Sequence, residues 1–233
     1  MTTSVSRRAF ALSLFLLSLT GSTFAQIIPA DSEEGMLRLS RAEYKADFVP
    51  LANHFESQGN DFFCGPTSSV IVLNALHTGG SSPYTQESFF DAATNHVKTR
   101  AQVTGQAPGV SGKPDYGLQL AQLQKILEGH GLKVTAHVVG EKVSTEAVRA
   151  DFVRNLGNRN DYVLINYKRS VLGQEGGGHI SPVGAYDSKS DSVLILDVNP
   201  GFHEWVWADL LDLVRAMGTF DTLQNRGYLL VSR

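Results

Sequence analysis

The feature of this sequence that most constrains its fold is a helix-like segment without a polar face. Pro66 lies at the predicted first turn, and Gly79 and Gly80 follow the predicted end, as is typical of a helix over about 64–76. Most residues near its end are apolar: Val70, Ile71, Val72, Leu73, Ala75 and Leu76. Because apolar side chains point in every direction, such a helix is stable only when other elements surround it. The sequence therefore predicts a buried central helix.

The rest of the sequence changes from helix-like to strand-like segments. Two amphipathic surface helices are predicted, at 85–96 and 118–129, and a further helix is predicted at 145–155. Strands are predicted at 133–139, 162–167, 180–186, 193–198 and 227–231. Helices followed by antiparallel strands indicate an α+β fold, in which a helical half faces a sheet half across a cleft. The loop 105–117, which contains several Gly and Pro residues, is a candidate lid or rim of that cleft.

The first 25 residues have the layout of a secretory signal peptide. Arg7 and Arg8 form a basic start, residues 11–19 are apolar, and residues 23–25 supply the small side chains of a cleavage site before Gln26. The apolar run is short for a membrane span, although an uncleaved anchor remains an alternative. The paired arginines fit a twin-arginine signal, and export through the Sec route remains open. We therefore expect a periplasmic or secreted bacterial protein, with no stable membrane insertion after the signal is removed.

Beyond the signal peptide, we predict a lead-in over 26–47, mobile over 26–40, and one domain over 48–233. Hydrophobic residues make up 42% of the sequence, which is enough for one core. The net charge is −3, and removal of the two signal-peptide arginines makes it more negative by two. An acidic body without a basic run offers no electrostatic surface for nucleic acid, so we expect no such partner.

Cys64 is the only cysteine in the sequence. It cannot form a disulfide within its own chain, and a thiolate metal cluster needs several cysteines or histidines at short spacing. We therefore expect no metal site, and the histidines show neither HxH nor HExxH spacing. A lone cysteine is often a small buried apolar residue. Cys64, however, begins the central helix, where the helix dipole and unpaired N–H groups favour a thiolate nucleophile.

Gln58 and His179 supply groups that a nucleophilic sulfur needs. Gln58 precedes Cys64 by six residues, and its amide is predicted to form an oxyanion hole together with the Cys64 backbone N–H. His179 begins a predicted strand after the glycines at 176–178 and is the candidate base. These glycines lack the Lys-Ser/Thr of a phosphate loop, and we interpret Gly177 and Gly178 as room for substrate backbone at the edge of the cleft.

Asp197 ends the next predicted strand and is the candidate residue that orients His179. If the turn between the two strands centres on Ser188, the two residues face each other directly. If it centres on Lys189, they are diagonal neighbours on the same face, and the carboxylate still reaches the imidazole. A turn centred between two residues would place them on opposite faces.

These segments resemble the catalytic domain of phytochelatin synthases, a group within the papain-like cysteine peptidase superfamily. The resemblance covers residues 48–233 and is strongest at Phe63-Cys64-Gly65, 72–76, 171–174, 178–182, 193–198 and 226–228. It implies a papain-like α+β fold and acyl transfer on glutathione. Cys64 would attack the Cys–Gly amide, release glycine and hold γ-Glu-Cys as a thioester, with His179 as acid and base and Asp197 as orienter. Water or a second glutathione would then accept the acyl group, and the second glutathione would give phytochelatin.

The resemblance also implies substrate-binding residues. By position, Arg226 and Asp221 match the pair that anchors the γ-glutamyl group, and Arg169 matches another arginine of the family. No cofactor is required within the chain, and a heavy metal such as cadmium or zinc would arrive as a glutathione thiolate. Besides glutathione or a related γ-glutamyl peptide, a homodimer partner remains open.

Two departures from the family pattern affect the expected reaction. Residues 198–205 replace the basic, proline-containing stretch that usually follows the aspartate, and the cysteine-rich C-terminal domain of plant members is missing. We therefore expect hydrolysis to exceed polymer synthesis and expect no metal sensing by thiolates of this chain. Two alternatives remain: a peptidase of the type that processes bacteriocin leaders, and a non-catalytic periplasmic binding module.

Overall fold

The computed structural model describes residues 27–77, 80, 82–91, 96–109 and 111–233. The predicted signal peptide lies outside these residues and remains a prediction. Among the described helices, none is both long and apolar enough to cross a membrane.

Seven antiparallel strands in the described residues form one sheet, in the order β1-β6-β5-β4-β3-β7-β2. The strands are β1 Ile27–Pro29, β2 Lys133–Val138, β3 Asp161–Lys168, β4 Gly178–Asp187, β5 Ser192–Ile195, β6 Val206–Asp209 and β7 Gly227–Ser232. The helices in the same residues are α1 Glu33–Arg41, α2 Phe48–Asn53, α3 Cys64–Ala75, α4 Arg100–Val103, α5 Leu120–Gly129, α6 Thr145–Leu156 and α7 Leu210–Met217. The predicted α+β class is confirmed.

The helix α3 is the buried central helix that the sequence predicts. Apart from Cys64 and Asn74, which are partly exposed, its residues are buried, and the helix packs against β4. The Ser68 hydroxyl donates a hydrogen bond to the Ile180 carbonyl over 3.1 Å. A Cβ at Gly65 would lie 3.4 Å from the Ile180 side chain, so glycine permits the close approach of helix and strand.

The strand β3 shows that both faces of the sheet are buried. Tyr162 and Leu164 belong to the core on the side of α3 and α5. Val163 and Ile165 belong to the second core, on the side of α6 and α7. Because successive side chains of a strand point to opposite faces, burial of both faces explains why the apolar residues of β3 run continuously instead of alternating with polar ones.

The structure differs from the mobile lead-in expected for the segment before residue 41. These residues form β1, which pairs with β6, and α1, which packs on the sheet. The Trp207 indole N–H donates to the Gly35 carbonyl over 3.0 Å, and Arg41 lies 2.7 Å from the buried Asp187 carboxylate. These contacts join α1 to residues far away in the sequence, which is why the local pattern did not reveal them. The domain division at residue 48 remains a prediction.

Other elements also differ from the expectation. Of the helix predicted over 85–96, the described residues contain only one turn of 3₁₀-helix, Ser88–Phe90. The strand predicted to reach residue 198 ends at Ile195. The strand β6 and the helix α7 were not predicted from the sequence. They follow each other without a loop because Asp209 ends the strand and caps the helix, accepting from the Leu211 N–H over 2.9 Å.

Asp47 at the start of α2 makes the stability of the fold pH-dependent. Its side chain is fully buried, and this burial, together with the nearby Asp161 carboxylate, raises its pKa from 3.8 to about 8. At neutral pH the folded protein therefore keeps a proton that the unfolded chain releases. The contribution of Asp47 to the free energy of unfolding therefore falls as the pH rises from about 4 to about 8, by up to about 1.4 kcal/mol per pH unit.

We predict that Asp47→Asn removes this dependence because the amide does not titrate. Urea unfolding at pH 5 and pH 8 should show the variant gaining stability relative to the wild type as the pH rises. Asp31→Asn, at an exposed position, is the control and should show no such gain. A stability difference for Asp47→Asn that is equal at both pH values would contradict the prediction.

Candidate active site

The hairpin of β4 and β5 places His179 and Asp197 on the same face of the sheet, although its turn alone would not. Next to the turn, Ala185 pairs with Leu194, so the hairpin is centred between Lys189 and Ser190. In that register His179 and Asp197 would lie on opposite faces of the sheet. The pairing shifts by one residue between Val183 and Ala185. Beyond this β-bulge the hairpin centres on Lys189, and the two catalytic candidates become diagonal neighbours.

Gly184 is the residue at which the register changes. A Cβ on Gly184 would lie 3.1 Å from the Leu196 side chain, closer than side chains ordinarily approach. Past the bulge, the Leu196 N–H donates to the Pro182 carbonyl over 2.9 Å, so the new register continues toward the site. The bulge thus places His179 where the Asp197 carboxylate reaches it.

The three catalytic candidates meet at the junction of α3 and the sheet. The His179 Nε2 atom lies 2.9 Å from the Asp197 Oδ1 atom, and both side chains are buried. Cys64, the first residue of α3, lines the same cleft as His179 and is close enough to shift the pKa of the imidazole. The structure therefore brings together Cys64, His179 and Asp197, which the sequence places up to 133 residues apart.

The charges of this cluster favour a thiolate and an imidazolium. Burial alone would raise the pKa of the Cys64 thiol, but the hydrogen bond and charge of His179 outweigh it and lower this pKa. Burial alone would lower the pKa of His179, but Asp197 and Cys64 outweigh it and raise that pKa. Both shifts act in the direction of a thiolate on Cys64 and a protonated imidazole on His179.

Asp197 is held by several donors besides His179. The Arg169 Nη2 atom contacts both carboxylate oxygens, at 2.6 Å from Oδ1. The Asn199 N–H donates to Oδ1 over 2.8 Å, and the Tyr167 hydroxyl donates to Oδ2 over 3.4 Å. Burial would raise the pKa of Asp197, but His179 and Arg169 outweigh it and lower the pKa to about 2. Asp197 is therefore an anion throughout the physiological pH range.

A cleft of about 270 Å³ opens in front of Cys64 and His179. The residues that line it are Asp61, Phe62, Cys64, Tyr116, Gly117, Leu118, Asn166, Gly178, His179, Ile180, Asp221 and Arg226. The rings of Phe62 and Tyr116 stack with centroids 4.7 Å apart. Tyr116 and Gly117 belong to the loop 105–117, so the structure places this loop at the rim of the cleft.

Two of the predicted substrate-binding residues form an ion pair in the cleft. The Arg226 Nη2 atom lies 3.0 Å from Asp221 Oδ1, and the Asn166 amide donates to Asp221 Oδ2 over 3.3 Å. Arg226 also donates to the Thr219 hydroxyl over 3.1 Å. A Cβ at Gly178 would lie 2.8 Å from Arg226 Nη2, so only glycine at this position leaves the guanidinium its place.

Three other predicted site residues lie outside the lining of the cleft. The Gln58 Nε2 amide donates to the Asn60 carbonyl over 2.8 Å, within its own loop, although the Gln58 N–H bonds Val198 O close to Asp197. Arg169 is buried against Asp197. Gly177 accepts the Arg169 N–H through its carbonyl over 3.0 Å, and its α-carbon faces open space. Their assigned roles remain predictions.

Several residues of the site were not predicted from the sequence. Tyr167 and Asn166 lie on β3, where they read as part of an apolar strand, and the pairing of β3 with β4 carries them to the site. Asp61 and Phe62 directly precede the nucleophile segment and line the cleft. Their proximity to Cys64 was the available signal, whereas the contact of Phe62 with Tyr116 could be known only from the folded chain.

We predict that Cys64 reacts as a thiolate below the ordinary thiol pKa of 9.0. The rate of alkylation by iodoacetamide, followed against pH, should have its midpoint below that value. His179→Ala should move the midpoint upward, because burial then acts on the thiol without the opposing charge. His54→Ala, away from the cleft, is the matched control. An unchanged midpoint in His179→Ala would refute the thiolate–imidazolium pair.

Comparison with known proteins identifies the family. The sequence model described as phytochelatin synthase matches residues 22–228. Glutathione gamma-glutamylcysteinyltransferase 1 of Arabidopsis thaliana is 28% identical over 212 residues, which cover 88% of this chain and 42% of the relative. The enzyme of the same name from Triticum aestivum is 28% identical over 80% of this chain and 36% of its own length. The glutathione gamma-glutamylcysteinyltransferase of Schizosaccharomyces pombe is 26% identical over 88% of this chain and 49% of its own length.

The chain thus spans less than half the length of these curated relatives. Among solved structures, the peptidase domain of Streptococcus ComA, a bi-functional ABC transporter involved in a quorum sensing pathway, matches 81% of this chain and 98% of its own. That match has 12% sequence identity and a TM-score of 0.44. Because the family match extends over most of the sequence and includes Cys64, His179 and Asp197, the chain belongs to the phytochelatin synthase family.

Proposed function

We propose that this protein is a cysteine-dependent acyltransferase and peptidase that cleaves the Cys–Gly amide of glutathione. The observation that supports it most directly is the arrangement of one cleft. Cys64 and His179, whose pKa shifts favour a thiolate and an imidazolium, share this cleft with the Arg226–Asp221 ion pair. A nucleophile and a pair of opposite charges in one cleft suit a substrate that carries a zwitterionic end and a reactive amide.

The ion pair suits the γ-glutamyl end of glutathione. That end carries an α-carboxylate and an α-ammonium group on the same carbon. Arg226 offers a planar guanidinium to the carboxylate, and Asp221 offers its carboxylate to the ammonium group. Because Arg226 is buried and held by Thr219 and Asp221, it is fixed in place before substrate binds.

In the acylation step, the Cys64 sulfur attacks the carbonyl carbon of the Cys–Gly amide. The negative charge that develops on the carbonyl oxygen is accepted by N–H groups at the first turn of α3, which have no helical partner. The C–N bond then breaks as His179 gives its proton to the departing glycine nitrogen. The products are free glycine and γ-Glu-Cys joined to Cys64 as a thioester.

In the deacylation step, His179 takes a proton from the acceptor, which attacks the thioester carbonyl. Water gives free γ-Glu-Cys, and the amino group of a second glutathione gives phytochelatin; Cys64 leaves as a thiolate in either case. Gln58 contributes to the oxyanion site only if its amide leaves the Asn60 carbonyl. No step requires a cofactor in the chain, and a heavy metal enters as a thiolate complex of glutathione.

We further propose that water is the main acceptor. The segment after Asp197 places Phe202 beside the glycine loop, where Gly176 lies, and His203 contacts the Glu175 carbonyl over 2.9 Å. Neither Phe202 nor His203 carries a permanent positive charge that could bind a carboxylate of a second glutathione. This segment therefore lacks a clear site for glutathione as the acceptor. The signal-like N-terminus supports export to the periplasm or beyond, where the enzyme would meet exported glutathione. A homodimer remains a prediction.

We predict that soaking the protein in glutathione produces a γ-Glu-Cys adduct on Cys64, detectable by mass spectrometry after acid quenching. Cys64→Ala should form no adduct. Arg226→Gln should form it only at higher glutathione concentration, because the guanidinium that binds the carboxylate is lost. Absence of the adduct, together with cleavage of a double-glycine leader peptide, would favour the alternative peptidase function.

We also predict that purified protein, incubated with glutathione and cadmium, releases more free γ-Glu-Cys than phytochelatin. The two products are separated by liquid chromatography and quantified against released glycine. Cys64→Ala is the blank for non-enzymatic breakdown. Phytochelatin in excess over γ-Glu-Cys would show that the chain does bind an acceptor glutathione, contrary to our proposal.

A further inference from the structure

The guanidinium of Arg169 pairs with the Asp197 carboxylate and lies outside the lining of the substrate cleft. Its Nη2 atom contacts both oxygens of the Asp197 carboxylate, and its side chain is 7% exposed while that of Asp197 is fully buried. Arg169 is not among the residues that line the cleft. A guanidinium placed in this way does not reach a ligand in front of Cys64, whereas it contacts the group that orients His179.

The backbone of Arg169 holds the loop that leads into β4. Its N–H donates to the Gly177 carbonyl over 3.0 Å, and its carbonyl accepts from the Gln174 N–H over 3.1 Å. These two bonds connect the end of β3 to the glycine loop immediately before His179. Arg169 is therefore tied to the chain that carries the imidazole and to the carboxylate that the imidazole faces.

Of the described groups that contact Asp197, Arg169 is the one with a permanent positive charge. His179, on β4, is charged only while it holds its proton, and it gives that proton away in each catalytic cycle. Tyr167, on β3, and the Asn199 N–H are neutral donors. When the imidazole becomes neutral, the buried carboxylate still needs a compensating charge, and removing one partner from a buried pair is strongly destabilising for the group left behind.

We propose that Arg169 is a positioning residue of the catalytic site, which holds Asp197 in the place and charge state that orient His179. Measuring this role through glutathione cleavage rests on the proposed function. Measuring it through the pH midpoint of Cys64 alkylation rests only on Cys64, His179 and Asp197. The residue acts through Asp197 and His179 and touches no reacting atom.

The test compares Arg169→Gln and Arg169→Lys with the wild type. For Arg169→Gln we expect kcat for glutathione cleavage to fall about 10- to 100-fold while KM changes less than about threefold, because orientation is lost and substrate contacts are not. The acidic limb of the pH–rate profile and the midpoint of Cys64 alkylation should both move to higher pH. Arg169→Lys keeps a charge without the planar fork, so it should show smaller shifts in the same direction.

A double-mutant cycle with Asp197→Asn identifies the route of the effect. If Arg169 acts through Asp197, then Arg169→Gln adds no further change in the alkylation midpoint once Asp197 is Asn. The double variant also removes both buried charges, so it is expected to fold even if Arg169→Gln alone does not. Circular dichroism spectra of all variants establish folding before any kinetic comparison.

Arg41→Gln is the matched control. Arg41 also pairs with a fully buried carboxylate, that of Asp187, at the other end of β4 and roughly 25 Å from His179 at about 3.3 Å per residue. This variant should lose stability without moving the alkylation midpoint.

Two results would overturn the proposal. The first is an alkylation midpoint equal to that of the wild type in both Arg169→Lys and Arg169→Gln, or in the double variant with Asp197→Asn if Arg169→Gln alone does not fold. This result would show that Arg169 does not act on the catalytic groups. A KM raised more than tenfold with that midpoint unchanged would assign Arg169 to substrate binding. If glutathione proves not to be the substrate, the alkylation measurements still decide the proposal, because they need no substrate.

Discussion

The packing of α3 against β4 determines where the reactive groups of this protein lie. Gly65 allows the helix to approach Ile180, and the Ser68 hydroxyl bonds the Ile180 carbonyl. Cys64 directly precedes Gly65, and His179 directly precedes Ile180. The same contact that closes the core therefore sets the nucleophile beside its base, and the helix N-terminus adds N–H groups that favour negative charge. Loss of this close approach would separate the sulfur from the imidazole without changing either residue.

The second requirement is that the buried charges compensate one another. Cys64, His179 and Asp197 lie in a region where an isolated charge would be costly. The charged form of each group is favoured because a partner of opposite sign is adjacent, and Arg169 contacts the Asp197 end of this series. This differs from Asp47, whose like-charged neighbour and burial favour the neutral acid. Asp47 and Asp197 are therefore buried carboxylates with opposite protonation states at neutral pH, because burial outweighs any stabilising partner at Asp47, whereas neighbouring positive groups outweigh burial at Asp197.

All residues of the proposed mechanism lie within the segment that matches the phytochelatin synthase family, although the chain spans less than half the length of the plant and yeast relatives. The candidate nucleophile, base, orienting carboxylate and proposed γ-glutamyl ion pair come from α3, β4 and the segments that flank β5 and β7. In the proposed mechanism, the departure from the family pattern after Asp197 concerns the acceptor and not the acylation chemistry. A site that is intact for the first half-reaction and altered for the second accounts for our proposal that water is the main acceptor.

The sequence by itself determined the central helix, the order of most elements, the α+β class and the candidate nucleophile, because apolar patterns and a lone cysteine at a helix start are local signals. The composition of the turn left the register of β4 and β5 open, and only the tertiary structure decided it, since the register shifts at a bulge between Val183 and Ala185, away from the turn. The contact of Arg169 with Asp197 and the placement of α1 were also decided by folding, because both depend on partners at least 28 residues away. Long-range pairing of charges and strands leaves no periodic trace along the chain, and it becomes visible only when the segments meet.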